Sequence, residues 1–295
     1  MSSKQTLITS DHPKGRQTVD LFRAAYDKAN LDEDGAQRIN EHGGEFQAGI
    51  RKLLDELSVS DRYANQQVAS KYIYPPEYHL KSIQEQIEAL LAFSTFKSLD
   101  AEWAGNFGQA WYDGLILPDW IEGPLVYVWH EVLGGYHAAL DLVLSEISNS
   151  PRSFYNYREG ELDPAHLRQS MRTVEKERAI KAQQPGDFII VPNQAGFRHR
   201  GRSVLRGREV FIRDEFGLGA VAEGCRALSH PDRYVRWEQL HTDCAGDEFR
   251  SAASGEFGKA PLFGFDVRLK FGSGCVVSAF VLYGSSSGFF GSVAS

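Results

Sequence analysis

No run of the chain is apolar for long enough to cross a membrane. The purely apolar stretches are a few residues long, as in Phe188-Ile189-Ile190-Val191, whereas a helical span needs about 20. No membrane partner is expected. Cysteine is scarce, and Cys225, Cys244 and Cys275 stand far apart without CxxC spacing. That argues against a disulfide framework and against a zinc finger, and makes a reducing cytoplasm the expected location. The opening residues MSSKQTLITSDHPKG contain no apolar h-region, so a secretory signal is not expected. Residues 1–15 read as a loose tail. Three familiar motifs are also missing. There is no GxxxxGK[ST] loop. His130 and His137 are seven apart, not at the four-residue spacing that lets two imidazoles reach one zinc. Gly217 and Gly219 precede a helix, but no acidic residue follows at the distance a dinucleotide fold needs. The sequence therefore names no cofactor and no metal.

What is present is an ordinary globular composition, 42% hydrophobic and 24% charged over 295 residues, enough for one large domain or two smaller ones. The net charge is −7 and the pI about 5.7. An acidic chain is a poor general coat for nucleic acid, although a local basic groove stays compatible with it.

Residues 16–185 read mainly as helix. Helical spacing is seen over Val19–Leu31, over Ile39–Leu57 in spite of Gly43-Gly44, over Ser82–Leu99 and over Trp129–Ile147. Asp163 and Pro164 have the pattern of a helix N-cap and first position. Trp103, Trp111, Trp120 and Trp129 fall in a Gly- and Pro-punctuated stretch, which reads as a loop capping the helical core or as a ligand groove. Residues 186–295 read as mixed: strands over Phe188–Val191, Tyr234–Cys244 and Leu262–Tyr283, and a helix over Phe216–Leu228. Phe289-Phe290 would anchor the C-terminal tail. The fold class is α+β, a mainly helical N-terminal half packed on a mixed half with an antiparallel or mixed sheet. A boundary near 150 or 185 is compatible with this, as is one shared core. Ile189, Val191, Val221, Leu228 and Trp237 are expected inside it, and Trp237→Ala is expected to cost about 3–5 kcal/mol.

The phrases FRHRGRSV, DEFGLGA, HPDRYVRWEQL and DCAGDEF, with YNYREGEL at 155–162, resemble a family of uncharacterised bacterial proteins of about this length. The resemblance covers roughly the last half of the chain. It implies an intact bacterial protein and brings no activity and no site residues with it.

Two segments carry concentrated chemistry. Between Phe197 and Arg213 stand Arg198, Arg200, Arg202, Arg206, Arg208 and Arg213 against Glu209 alone, a local charge of +5 that leaves −12 for the rest. Arg198, His199, Arg200 and Arg202, just before the N-cap candidate Ser203, suggest an anion site assisted by a helix N-terminus and by close backbone approach at Gly201. The later arginines, Arg206, Arg208 and Arg213, read as partners of Glu209, Asp214 and Glu215 or of the acidic remainder of the chain. The second segment holds His241, Asp243, Cys244, Asp247 and Glu248. His241 and Asp243 share a strand face, as in two thirds of a 2-His-1-carboxylate site whose third ligand would be His199 or His230. A Cys244 nucleophile with His241 as base is another reading, and a strand end pairing with Arg198–Arg202 a third. Two functions follow. One is a binding or accessory protein holding an anionic small molecule or acidic protein surface. The other is a hydrolase or transferase using His241, Asp243, Cys244 and Glu248 beside the arginines.

Overall fold

The computed structural model describes residues 8–293. By its internal contacts the chain divides into two units, Met1–Leu57 and Ser58–Ser295. Residues 1–7 of the expected tail lie outside the described residues. The remainder of that tail is partly helical, because α1 (Pro13–Lys28) begins at a proline whose missing N–H costs nothing there, with His12 as cap. α2 (Glu33–Glu41) is capped by Asp32, whose carboxylate accepts the Gly35 N–H at 2.7 Å. α3 is Gly43–Ser58. The single helix expected over 39–57 is thus broken at His42, where two glycines follow with little helix propensity. Phe22 and Phe46 approach to 6.0 Å, while Leu21, Leu53 and Leu57 are exposed.

The second unit carries both apolar clusters, the larger running from Ile83 to Phe271. α4 (Ile83–Leu91) starts at a Ser82–Glu85 capping box. α5 (Glu102–Asp113) occupies what reads as a loop. Its Trp103 and Trp111 pack half-buried on the main core together with Trp129, whereas Trp120 lies elsewhere, against Phe289. β1 (Leu115–Ile116) and β2 (Gly123–Val128) follow. A 3-10 turn at His130–Leu133 and two positive-φ glycines, Gly134 and Gly135, delay α6 to Tyr136–Asn149. Then come β3 (Phe154–Asn156) and β4 (Leu167–Gln169). Asp163 and Pro164 start only a turn, closed by Asp163 accepting from Ala165, because the next residues pair as β4. The helix itself, α7, is Met171–Lys181 and is capped by Ser170.

β5 (Phe188–Gln194) is buried throughout. α8 (Val204–Glu209), β6 (Glu215–Gly217) and α9 (Ala220–Ser229) follow. The last elements are β7 (His241–Asp243), β8 (Asp247–Phe249), β9 (Lys259–Phe265), β10 (Leu269–Cys275), β11 (Tyr283–Ser285), β12 (Ser287–Phe289) and β13 (Ser292–Val293). Strands β2-β5-β12-β6 form an antiparallel sheet. A second, mixed sheet runs β11-β7-β9-β10-β3, with β8 on β9 and β4 on β8. β1 pairs with β13. Every residue of α9 is buried, since it packs on α4, α6, β2 and β9 at once. At Gly224 a Cβ would come within 2.4 Å of Val143, so glycine sets how closely α9 approaches α6.

The architecture is α+β. β2 pairs with β5 and β3 with β10, so residues on both sides of 150 and of 185 share sheets and core. Ile189, Val191, Val221 and Leu228 are buried as expected. Trp237 is not: it is 48% exposed. Only His241–Asp243 of the expected 234–244 strand is paired, so the alternation that put Trp237 inside does not operate. Its ring instead lies beside His241 and the Lys270 ammonium. Likewise, of 275–283 only the two ends are strand, and Val277, Phe280 and Val281 are exposed.

Candidate functional site

The arginine turn lies between β5 and α8. Gln194, at the end of β5, donates to Ser285 O and Ser287 Oγ, and its oxygen accepts the Gly196 and Arg198 N–H groups. One buried amide thereby fixes the start of the turn. Gly201 has φ +71, and a Cβ there would stand 2.3 Å from Val68 O. The close backbone approach foreseen for a ligand is made instead to the chain's own 66–70 segment, where Val68 N–H donates to Gly201 O. Ser203 is the N-cap of α8, accepting the Arg206 N–H at 3.0 Å. The Leu205 N–H donates to Val276 O. The helix N-terminus is therefore satisfied internally, which removes it as the expected oxyanion cradle.

His199 is fully buried and joins two charged partners. Its Nε2 lies 2.7 Å from Glu215 Oε1, and its Nδ1 lies 3.0 Å from Arg202 Nη1. A guanidinium only donates, so Nδ1 accepts and Nε2 carries the hydrogen given to Glu215. Burial pushes His199 below the ordinary histidine value, Glu215 opposing it, which agrees with a neutral ring. Burial works to raise Glu215, but His199, Arg198 and Ser287 outweigh it and hold the carboxyl down. Arg198 approaches Glu215 at 3.3 Å and lies over the Trp120 ring at 4.4 Å. Arg200 lies over Phe197 at 4.1 Å and donates to Tyr72 O. Among the described residues no ion pair joins Arg200 or Arg202 to a carboxylate. Burial, with Arg206 and Arg198 nearby, lowers Arg202.

Arg206 and Arg208 are internally engaged, through partners distant in sequence, whereas Arg213 is exposed and forms no ion pair among the described residues. Arg206 makes a two-pronged contact with Asp61 and also donates to Gln67. Arg62 meets Glu209. Arg208 donates to Ala245 O and Asp247 O and reaches Glu248 at 4.0 Å. Asp214 pairs with Lys176. The expected salt bridge between Arg198, Arg200 or Arg202 and Asp243, Asp247 or Glu248 does not form. The two segments do meet, through Arg208 and through the bridge of Arg200 with Gly284, next to β7.

On β7, His241 and Asp243 share one face, and Cys244 lies in the main core beyond the strand end. His241 Nε2 faces the Arg236 carbonyl at 3.3 Å, and its buried Nδ1 has no hydrogen-bond partner among the described residues. The neighbouring ring of Tyr283 is 5.2 Å away. Burial pushes His241 down to about 4 and raises Asp243 to about 7, with Arg208 pulling Asp243 back. It raises the Cys244 thiol well above its usual range, so no thiolate is favoured. Glu248 pairs with Arg168 at 2.6 Å. Asp247 accepts from Tyr136 and from the Ala220 N–H at the start of α9. His199 is committed to Glu215, and His230 to Ser229 and the Lys81 N–H. Among the described residues no group of three His, Cys, Asp or Glu is placed to hold a metal ion. A separate cleft of about 230 Å³, lined by His137, Asp141, Gly160, Leu162, Asp163 and Pro164, contains no residue of the arginine turn or of the 241–248 segment.

Two buried arginines escaped the sequence reading. Arg226 is paired with Glu223 at 3.0 Å and donates to Asn193. Arg233 donates to Leu240 O, Ala195 O and Thr242, with its guanidinium 4.3 Å from the Tyr74 ring centre and 4.7 Å from that of Tyr234. The i,i+3 spacing of Glu223 and Arg226 was the available signal for the first; nothing local marks the second. The site is thus an arginine turn clamped between two sheets. Comparison with protein-family models, with curated proteins and with solved structures finds no match to the chain.

Proposed function

We propose that the protein is a binding or accessory protein whose Arg198–Arg202 turn receives an anionic group. The observation that supports this is Arg202, half-buried, with no carboxylate ion pair among the described residues and held by neutral His199, which Glu215 orients. A guanidinium fixed in this way loses little freedom when it takes up an anion, and its fork suits carboxylate or phosphate. Arg200 adds a second cation, already oriented over Phe197. Small multivalent anions test the reading. Pyrophosphate and citrate should raise the melting temperature of the wild type, because a ligand bound only by the native state stabilises it. They should leave Arg200→Ala/Arg202→Ala unmoved. No shift in the wild type would overturn the proposal.

One observation favours an enzyme as the second reading. The Asp243 carboxyl, raised to about 7 by burial, shares a strand face with His241, and a carboxyl that titrates there can give or take a proton near neutral pH. A hydrolase or transferase activity abolished in folded Asp243→Asn would establish it.

A further inference from the structure

The arginine turn is bordered by exposed apolar side chains that nothing in the second unit covers among the described residues. Ile73 is 57% exposed, Phe280 54%, Phe197 42% and Val281 41%. The segments that carry them are fastened to the arginine turn. Arg200 rests on Phe197 and donates to the Tyr72 carbonyl, one residue before Ile73. Ser70 Oγ–H donates to Val281 O, and the Gly201 N–H donates to Tyr283 O. The Phe280 ring lies 6.4 Å from that of Tyr283. Solitary exposed apolar residues mean little, but a group of them next to oriented arginines has the composition of a protein-binding surface.

We infer that the anion received by Arg200 and Arg202 is a carboxylate of an acidic protein segment, whose apolar side chains lie on Ile73, Phe197, Phe280 and Val281. This rests on the anion-binding reading and narrows it from any anion to a polypeptide. Charge complementarity decides the occupant. The two cations lack carboxylate partners, and a basic or neutral apolar surface would leave them desolvated and unpaired. A small phosphate would satisfy the arginines and leave the apolar border in water.

The test uses the full chain and a fluorescein-labelled synthetic peptide of alternating glutamate and leucine. Poly-glutamate and pyrophosphate serve as comparisons. The Glu-Leu peptide should bind about tenfold more tightly than poly-glutamate, and added salt should weaken it. Ile73→Ser/Phe280→Ser, both at exposed positions, should reduce its affinity to that of poly-glutamate while leaving the thermal shift with pyrophosphate intact. Arg200→Glu/Arg202→Glu should lose all three. If pyrophosphate binds but the peptide shows no advantage, or if the Ile73/Phe280 variant binds it unchanged, the inference falls and the anion reading stands. If no probe binds, both fall. Concentration-dependent self-association of the wild type that vanishes in Ile73→Ser/Phe280→Ser would replace the acidic segment with a second copy and overturn the assignment.

Discussion

Arg226 is wholly buried, and it is tolerated there because Glu223, one helical turn back, answers its charge at 3.0 Å. Burial works against the guanidinium, but Glu223 more than reverses that and raises Arg226 well above its ordinary value. Tyr234 Oη and Asn193 complete the group by bonding Glu223 and Arg226 in turn. Removing one charge of such a pair leaves the other uncompensated in the interior. Glu223→Gln should therefore cost about 3–5 kcal/mol in urea unfolding. A loss below about 1 kcal/mol, typical of exposed pairs, would show that water reaches the pair. At this scale the sequence was legible in part. Ser203 was recognised as the cap of α8. The partners were not legible. Neighbours such as Glu209, or the acidic remainder of the chain at large, seemed the counterions, but which remote carboxylate meets which arginine has no local signal: Glu209 is taken by Arg62, and Arg206 pairs with Asp61.

Elements were read best where one periodicity ran unbroken. The apolar run of β5 continues into Pro192, Asn193 and Gln194, all buried, and α9 keeps its apolar stripe. Elements were misread where turn chemistry overrode the pattern, as at Asp163-Pro164 and at His42-Gly43, or where burial of one residue hung on a strand that did not form, as at Trp237. The candidate site shows the same limit. Gly201 was identified as special, and its φ of +71 bears that out, but what it approaches is Val68 O. No local pattern encodes a contact between residues so far apart in the chain. Gly201→Ala would place a Cβ in a backbone region costing about 1–2 kcal/mol for L-residues and 2.3 Å from the Val68 carbonyl oxygen. The expected loss is at least about 2 kcal/mol by chemical denaturation. A neutral substitution would mean the 66–70 segment is free to move off the arginine turn.

The molecule as a whole carries two opposed sets of buried titrating groups. Burial, with Arg226 and Lys81 adding to it, pushes His230 down to about 3, and burial pushes His241 to about 4. Below the ordinary histidine value, about 6.5, the unfolded chain takes up protons that the folded chain refuses, so these rings weaken the fold as pH falls. Burial raises Asp243, Asp247 and Glu177 to about 7. From about pH 4, where unfolded carboxyls ionise, the folded chain keeps protons that the unfolded chain has released. Stability from these carboxyls is complete below that point and is lost as pH rises to about 7. Asp243→Asn deletes one term of the second kind. Its stability relative to the wild type, followed by urea midpoints, should increase as pH is raised from about 4 to about 7. A difference constant across that range would show that Asp243 is ionised in the folded state.

Ser286 is the point where the chain leaves one sheet for the other: β11 before it pairs with β7, and β12 after it pairs with β5 and β6. Its N–H donates to Asp243 O and its carbonyl accepts from Leu218, so the crossing is fastened on both sides. Until residues 283–289 are in place, β5, β6 and β7 each lack a neighbour, and the sheets wait with open edges. One short segment thereby seals both sheets, and a chain lacking residues 283–289 would expose open edges on two sheets at once rather than lose a single strand.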